Sequence, residues 1–162
     1  MTTVIKMKRR AILAFMLDRP GVLNKIAMLI RRKMYNVDTL TVCSTNKPGV
    51  SRMTITLRED DEARVTQVIR QIEKVTEVVS AKELNRDESY WREVAIIKLE
   101  TDGERLEALR KKYNFEILDR RNHELYIVQV AGTTWSIDDF LAEVGRDRII
   151  EIARTGVTAM EN

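Results

Sequence analysis

The sequence predicts an α+β protein built from two βαββαβ units in tandem. Three observations carry this. Short runs rich in β-branched residues alternate with longer amphipathic stretches, the order of these runs is the same in both halves, and a polar stretch, NRDESY at 85–90, separates the halves. Apolar residues recurring every three to four positions mark helices, and short runs that alternate or are wholly apolar mark strands.

The first run, RRAILAFML at 9–17, is short and apolar on both faces, which suits a central strand. In the turn that follows, Pro20 is expected at a helix's first position, where its missing N–H costs nothing. Gly21 beside it leaves the first-turn N–H groups open. Such a turn can dock a small carboxylate, and it is also an ordinary way to begin a helix, with Asp18 as the cap. Val22, Leu23, Ile26, Ala27, Leu29, Ile30 and Met34 then recur at helical spacing, while Lys25, Arg31, Arg32 and Lys33 occupy other positions. Residues 37–43 return to β-rich composition, NKPG at 46–49 supplies turn chemistry, and SRMTITL at 51–57 alternates as a half-buried strand does. Asp60 is the expected cap of a second helix whose buried stripe is Val65, Val68, Ile69, Ile72 and Val75, and a strand at 78–84 closes the unit.

The second half repeats the series. WREVAIIKLET suggests a strand, 102–113 a helix with Leu106, Leu109 and Tyr113 inward, and FEILDRR and ELYIVQV two further strands. Ser136 with Asp139 resembles a capping box ahead of Ile137, Phe140, Leu141 and Val144, and RIIEIAR closes the unit. Each unit is then expected to be ferredoxin-like, a four-stranded antiparallel sheet with two helices on one face. The expected division is a domain at 1–85, a linker at 86–91 and a domain at 92–162. Each sheet is left with one face that no helix covers. Self-association is the cheapest way to cover such a face or its edges, so at least a homodimer is expected.

A chain of 162 residues with 44% hydrophobic content can bury one or two small cores unaided. The N-terminal MTTVIKMKRR is followed by no apolar run long enough for a leader, and nothing later reads as a membrane span. The single cysteine, Cys43, cannot form an internal disulfide, which fits a reducing compartment, and the cytoplasm is the expected location. The formal net charge is +3, but the basic clusters alternate with acidic neighbours and lack helix-turn-helix or zinc spacing, so a nucleic-acid partner is not expected.

Catalytic chemistry is scarce. The one histidine, His123, sits in the polar break RRNHEL, and Cys43 has no activating histidine in its motif. No Gly-rich phosphate loop, GxSxG elbow or paired Cys/His set is present, and the carboxylates share helix faces with Lys and Arg. An independent enzyme is therefore not expected. Trp91 and Trp135 read as packing residues.

The segment LDRPGVLNKIAMLIRRKMYNVDTLTV resembles an ACT domain, a βαββαβ module that senses small molecules. Together with SRMTI, REVAIIK and IIEIARTGV, in that order, it resembles the regulatory, or small, subunit of acetolactate synthase (acetohydroxyacid synthase). The resemblance implies a non-catalytic chain that binds and activates a large thiamine-diphosphate-dependent catalytic subunit. That subunit condenses pyruvate with pyruvate or 2-oxobutanoate, the first shared step of branched-chain amino-acid synthesis. Thiamine diphosphate, magnesium and FAD would belong to the catalytic subunit, with no cofactor bound by this chain. The resemblance also implies feedback by valine or a related amino acid held between paired ACT domains. Asp18 would meet the ammonium group, the N–H groups of Gly21, Val22 or Leu23 after Pro20 would meet the carboxylate, and the opposite copy would supply Asn36 and the backbone of Val37.

Two residues depart from the family pattern. Asp18 stands where Asn is usual, which favours the ammonium and repels the carboxylate. Met34 stands where Gly usually ends the helix. Either Met34 takes a left-handed conformation, at roughly 1 kcal/mol, or Asn36 ends the helix instead. Arg154, Thr155 and Gly156 carry the family signature and are expected to end the last strand. The alternative is a free-standing ACT-domain sensor acting on another enzyme or a transcription factor, which would have no need of the second-half segments.

Overall fold

The computed structural model describes residues 8–162. The segment MTTVIKM, on which the leader reading partly rests, lies outside the described residues. The chain divides into two compact units, the first running to Tyr90 and including Val157–Asn162, the second spanning Trp91–Gly156. The segment 86–91 carries a 3-10 turn, Arg86–Glu88, and the start of a strand.

In the first unit the elements are β1 (Arg9–Leu17), α1 (Val22–Arg32), β2 (Val37–Ser44), β3 (Val50–Arg58), α2 (Glu62–Glu73) and β4 (Val78–Glu83). The strands pair antiparallel in the order β2-β3-β1-β4. The uniformly apolar β1 is central, as its composition predicts. Ile12, Ala14 and Met16 of β1 and Met53, Ile55 and Leu57 of β3 pack beneath Val22, Ile26 and Ile30 of α1 and Val65, Val68 and Ile72 of α2. Both helices thus cover one face. The side-chain period of two puts Leu13 and Phe15 on the other.

The second unit repeats this with β5 (Ser89–Glu100, entering from the boundary), α3 (Gly103–Lys112), β6 (Phe115–Arg120), β7 (Leu125–Gly132), α4 (Thr134–Val144) and β8 (Ile149–Arg154). The strand order is β6-β7-β5-β8, again antiparallel. Phe140 of α4 centres the core, with the Tyr113 and Phe115 rings each 5.4 Å from its own. Trp91 and Trp135 pack on each other at 6.0 Å. Hydropathy does not flag the ion pair between Arg154 and the fully buried Glu93 carboxylate; Arg154 also meets Asp138 at 2.7 Å.

Val157–Asn162 includes a short strand absent from the expected set, β9 (Thr158–Glu161). It lies on the helix-free face of the first sheet. The Val157 N–H donates to Thr39 Oγ1 at 3.3 Å, Arg52 donates to the Ala159 carbonyl, and Lys82 pairs with Glu161 at 2.5 Å. The pairing register places Arg52 and Lys82 beside Phe15 and Leu13. The chain itself therefore supplies part of the cover that the sequence reading assigned to self-association.

Three helix starts differ from expectation. Asp60 is not the cap of α2, because its carboxylate takes the Lys8 N–H at 2.7 Å; Asp61 caps instead, accepting from Ala63 N–H at 2.8 Å. Thr133, not Ser136, caps α4, its Oγ1 accepting the Ser136 N–H at 3.2 Å. At α1 the cap position is Gly21, with no side chain bonded to the helix start, so Pro20 precedes the cap instead of opening the helix, and Asp18 caps nothing. Among the described residues no helix is long and apolar enough to cross a membrane. Nor does any group of three or more His, Cys, Asp or Glu side chains there form a metal site.

Candidate functional site

The turn before α1 is pinned from both sides. The Leu17 N–H donates to the Glu77 carbonyl at 2.8 Å and the Asp18 N–H to the Gly49 carbonyl at 2.9 Å. Glu77 is held in turn by Lys25, whose ammonium donates at 2.5 Å and keeps the Glu77 carboxyl below its ordinary value, with a backbone hydrogen bond adding to the effect. Gly21 has φ 86°, a left-handed conformation that side chains resist. Beyond its chain neighbours, no atom of the described residues lies within 4 Å of where its Cβ would stand, so the backbone alone demands glycine. The helix start then presents donors outward. The Val22 N–H makes only a long bond to the Arg19 carbonyl, 3.4 Å, while the Leu23 and Asn24 N–H groups have no acceptor among the described residues. Asp18 stands exposed beside them, so a positive helix terminus and a carboxylate lie next to one another.

The far end of α1 settles the choice between Met34 and Asn36. Met34 has φ 58°, the only positive φ at a non-glycine among the described residues. Its N–H reaches the Arg31 carbonyl at 3.1 Å and the Tyr35 N–H reaches Ile30 at 3.4 Å. These are the two bonds of a Schellman ending, with Met34 in the place glycine favours. The Met34 side chain is 85% exposed, so no burial within the chain offsets that backbone strain.

Between α1 and β2 runs a cleft of ≈ 630 Å³, lined along the helix by Leu23, Ile26, Ile30 and Met34, and on the other side by Asn36, Val37 and Leu40. Leu23, Asn36 and Val37 of the expected binding residues meet here. Asp18, Pro20 and Gly21 form the turn near its Leu23 end, and the Val22 side chain is in the core. From Leu23 to Met34 the helix rises roughly 16 Å, so one small amino acid cannot touch both the turn and Asn36 of a single copy. Leu40, with Arg31 and Tyr35, also lines the cleft and was not singled out in the sequence. The signal lay in the strand order, since among the described residues β2 is an edge strand, and its Leu40 and Val42, on the helix-covered face opposite Ile55 and Met53, stay 41% and 40% exposed.

Known proteins match both units. Residues 12–80 match the family described as AHAS small subunit-like ACT domain, and residues 92–162 the family described as small subunit of acetolactate synthase. The chain is 31% identical over 157 residues to the acetolactate synthase isozyme 3 small subunit of Escherichia coli (strain K12), covering 94% of each chain. It is 35% identical over 147 residues to the probable acetolactate synthase small subunit of Archaeoglobus fulgidus, covering 88% of this chain and 90% of that one. The crystal structure of the acetolactate synthase small subunit from Thermotoga maritima superposes with a TM-score of 0.84 at 28% identity, over 96% of this chain and 98% of that one. The chain belongs to the family of acetolactate synthase small subunits.

Proposed function

We propose that this chain is a non-catalytic regulatory subunit. It binds the thiamine-diphosphate-dependent catalytic subunit of acetolactate synthase, stimulates acetolactate formation, and senses valine or a related branched-chain amino acid. The observation that carries this is the presence of both matched families in one chain, in order, at 12–80 and 92–162. A free-standing sensor needs only the first. Thiamine diphosphate, magnesium and FAD belong in this reading to the catalytic partner.

The effector sits between two copies of the first unit. Its carboxylate takes the N–H groups of Gly21 and Leu23 at one copy's helix start, where the partial positive charge favours an anion. Its ammonium pairs with Asp18. Asn36 and the Val37 backbone come from the second copy, as the helix length requires. Exposed Leu40 and Val42 on the β2 edge support pairing of two copies along that edge. Filling the cleft with a branched side chain then favours one pairing geometry, and only such a difference in affinity between states regulates the enzyme.

The test mixes the purified chain with the catalytic subunit of the same organism and measures acetolactate formation with and without each branched-chain amino acid. Activity is expected to rise on mixing and to fall with at least one amino acid. Activity indifferent to the chain under all conditions refutes the regulatory role. Asp18→Asn removes the charge that repels the effector's carboxylate and is expected to lower the valine concentration needed for inhibition. No gain would move that control to Met34.

A further inference from the structure

The helical layer of the first unit holds a second groove, ≈ 500 Å³, between α1 and α2. It shares no residue with the cleft and lies along the opposite flank of α1. Its walls include Lys25, Met28 and Arg32 of α1 and Lys33 just beyond it, faced by Gln71 and Val75. Lys25 is already neutralised by Glu77. Arg32 and Lys33 meet no carboxylate among the described residues, and α1 itself contains no acidic residue. Cations at a helix C-terminus are favoured by the helix dipole. What sets Arg32 and Lys33 apart is the 40% exposed Met28 beside them, which puts apolar surface next to two cations that no carboxylate among the described residues meets.

We infer that this groove docks an acidic segment of the catalytic partner, a peptide whose carboxylates meet Arg32 and Lys33 while an apolar side chain lies on Met28 and Val75. The inference rests on the regulatory-subunit reading and adds where the partner touches. Charge complementarity selects an acidic ligand, and uncompensated cations at an interface steer association more than they strengthen it. The apolar floor selects a peptide, because a nucleic acid's phosphates offer nothing for Met28 and Val75.

The experiment measures the affinity of the catalytic subunit for the full-length chain at low and high salt. It compares wild type with Arg32→Glu/Lys33→Glu and with the charge-keeping Arg32→Lys/Lys33→Arg. Far-ultraviolet circular dichroism and thermal midpoints establish that each variant is folded. The reversal variant is expected to bind about tenfold weaker or worse, with a flatter salt dependence, and the charge-keeping variant to bind as wild type does. Equal binding by wild type and the folded reversal variant overturns the groove as the docking site, as does equal loss in both variants. Loss of affinity for a DNA duplex probe but not for the catalytic subunit overturns the peptide in favour of nucleic acid. Failure of the wild type itself to bind the catalytic subunit defeats the regulatory-subunit reading, and is distinguishable because it precedes any variant.

Discussion

Replacing Met34 with glycine should stabilise the protein. Met34 holds φ 58° at the end of α1, in a conformation that costs an L-residue about 1–2 kcal/mol. Glycine escapes that cost but adds unfolded-chain freedom worth about 0.4–1 kcal/mol. The side chain is 85% exposed, so little burial is lost with it. The net gain is about 0.5–1 kcal/mol, a rise of the urea midpoint by roughly 0.3–0.7 M. The assay is urea unfolding of wild type, Met34→Gly and Met34→Ala at one protein concentration, because association adds a contribution of its own. Alanine keeps the strain and is expected to gain nothing. A glycine variant no more stable than the alanine variant would refute the strained Schellman ending.

Other perturbations test other parts of the fold. Asp61→Ala removes the cap of α2 and is expected to cost about 1 kcal/mol in chemical unfolding, more than Asp60→Ala; the reverse order would return the cap to Asp60. Phe140→Ala empties the centre of the second core, where Tyr113 and Phe115 pack on it, and is expected to cost about 3–5 kcal/mol. A loss under about 1 kcal/mol would show that the site collapses or that the ring is not central. The Arg105 N–H, donating to the Asp102 carboxylate at 2.7 Å, holds that carboxyl below its ordinary value. Its contribution is therefore present above the usual carboxylate range and lost as the pH falls through the lowered value. Asp102→Asn should flatten the acid limb of a stability-against-pH curve, and an unchanged limb contradicts this assignment.

The long elements were legible because their periodicity extends over many residues. RRAILAFML can be little other than a central strand, and β1 spans Arg9–Leu17 as expected. Helix starts were less legible, because the choice between adjacent candidates is made far away. Asp60 is drawn off by the N–H of Lys8, 52 positions earlier, and no local pattern reports that. The Glu93–Arg154 pair bridges 61 positions and looks like two surface charges in the sequence. TAME, the four residues of β9, carries no alternation, and its Ala159 and Glu161 meet Arg52 and Lys82, 107 and 79 positions earlier. At the candidate site, the turn and the helix end were visible as Asp-Arg-Pro-Gly and Met-Tyr-Asn. The cleft between them needed the knowledge that, among the described residues, β2 pairs only with β3.

The first unit is discontinuous in the chain, with all of Trp91–Gly156 lying between its β4 and Val157–Asn162. Domains usually fold in order as they leave the ribosome. Here the four strands of the first sheet are all made early, but the contacts on its helix-free face are not, because Thr39, Arg52 and Lys82 meet Val157, Ala159 and Glu161 only after the second unit has been synthesised. During that interval the sheet face beside Leu13 and Phe15 lacks the contacts that Val157–Asn162 later makes on it. A shortened transcript that lost these few codons would therefore damage the domain encoded first.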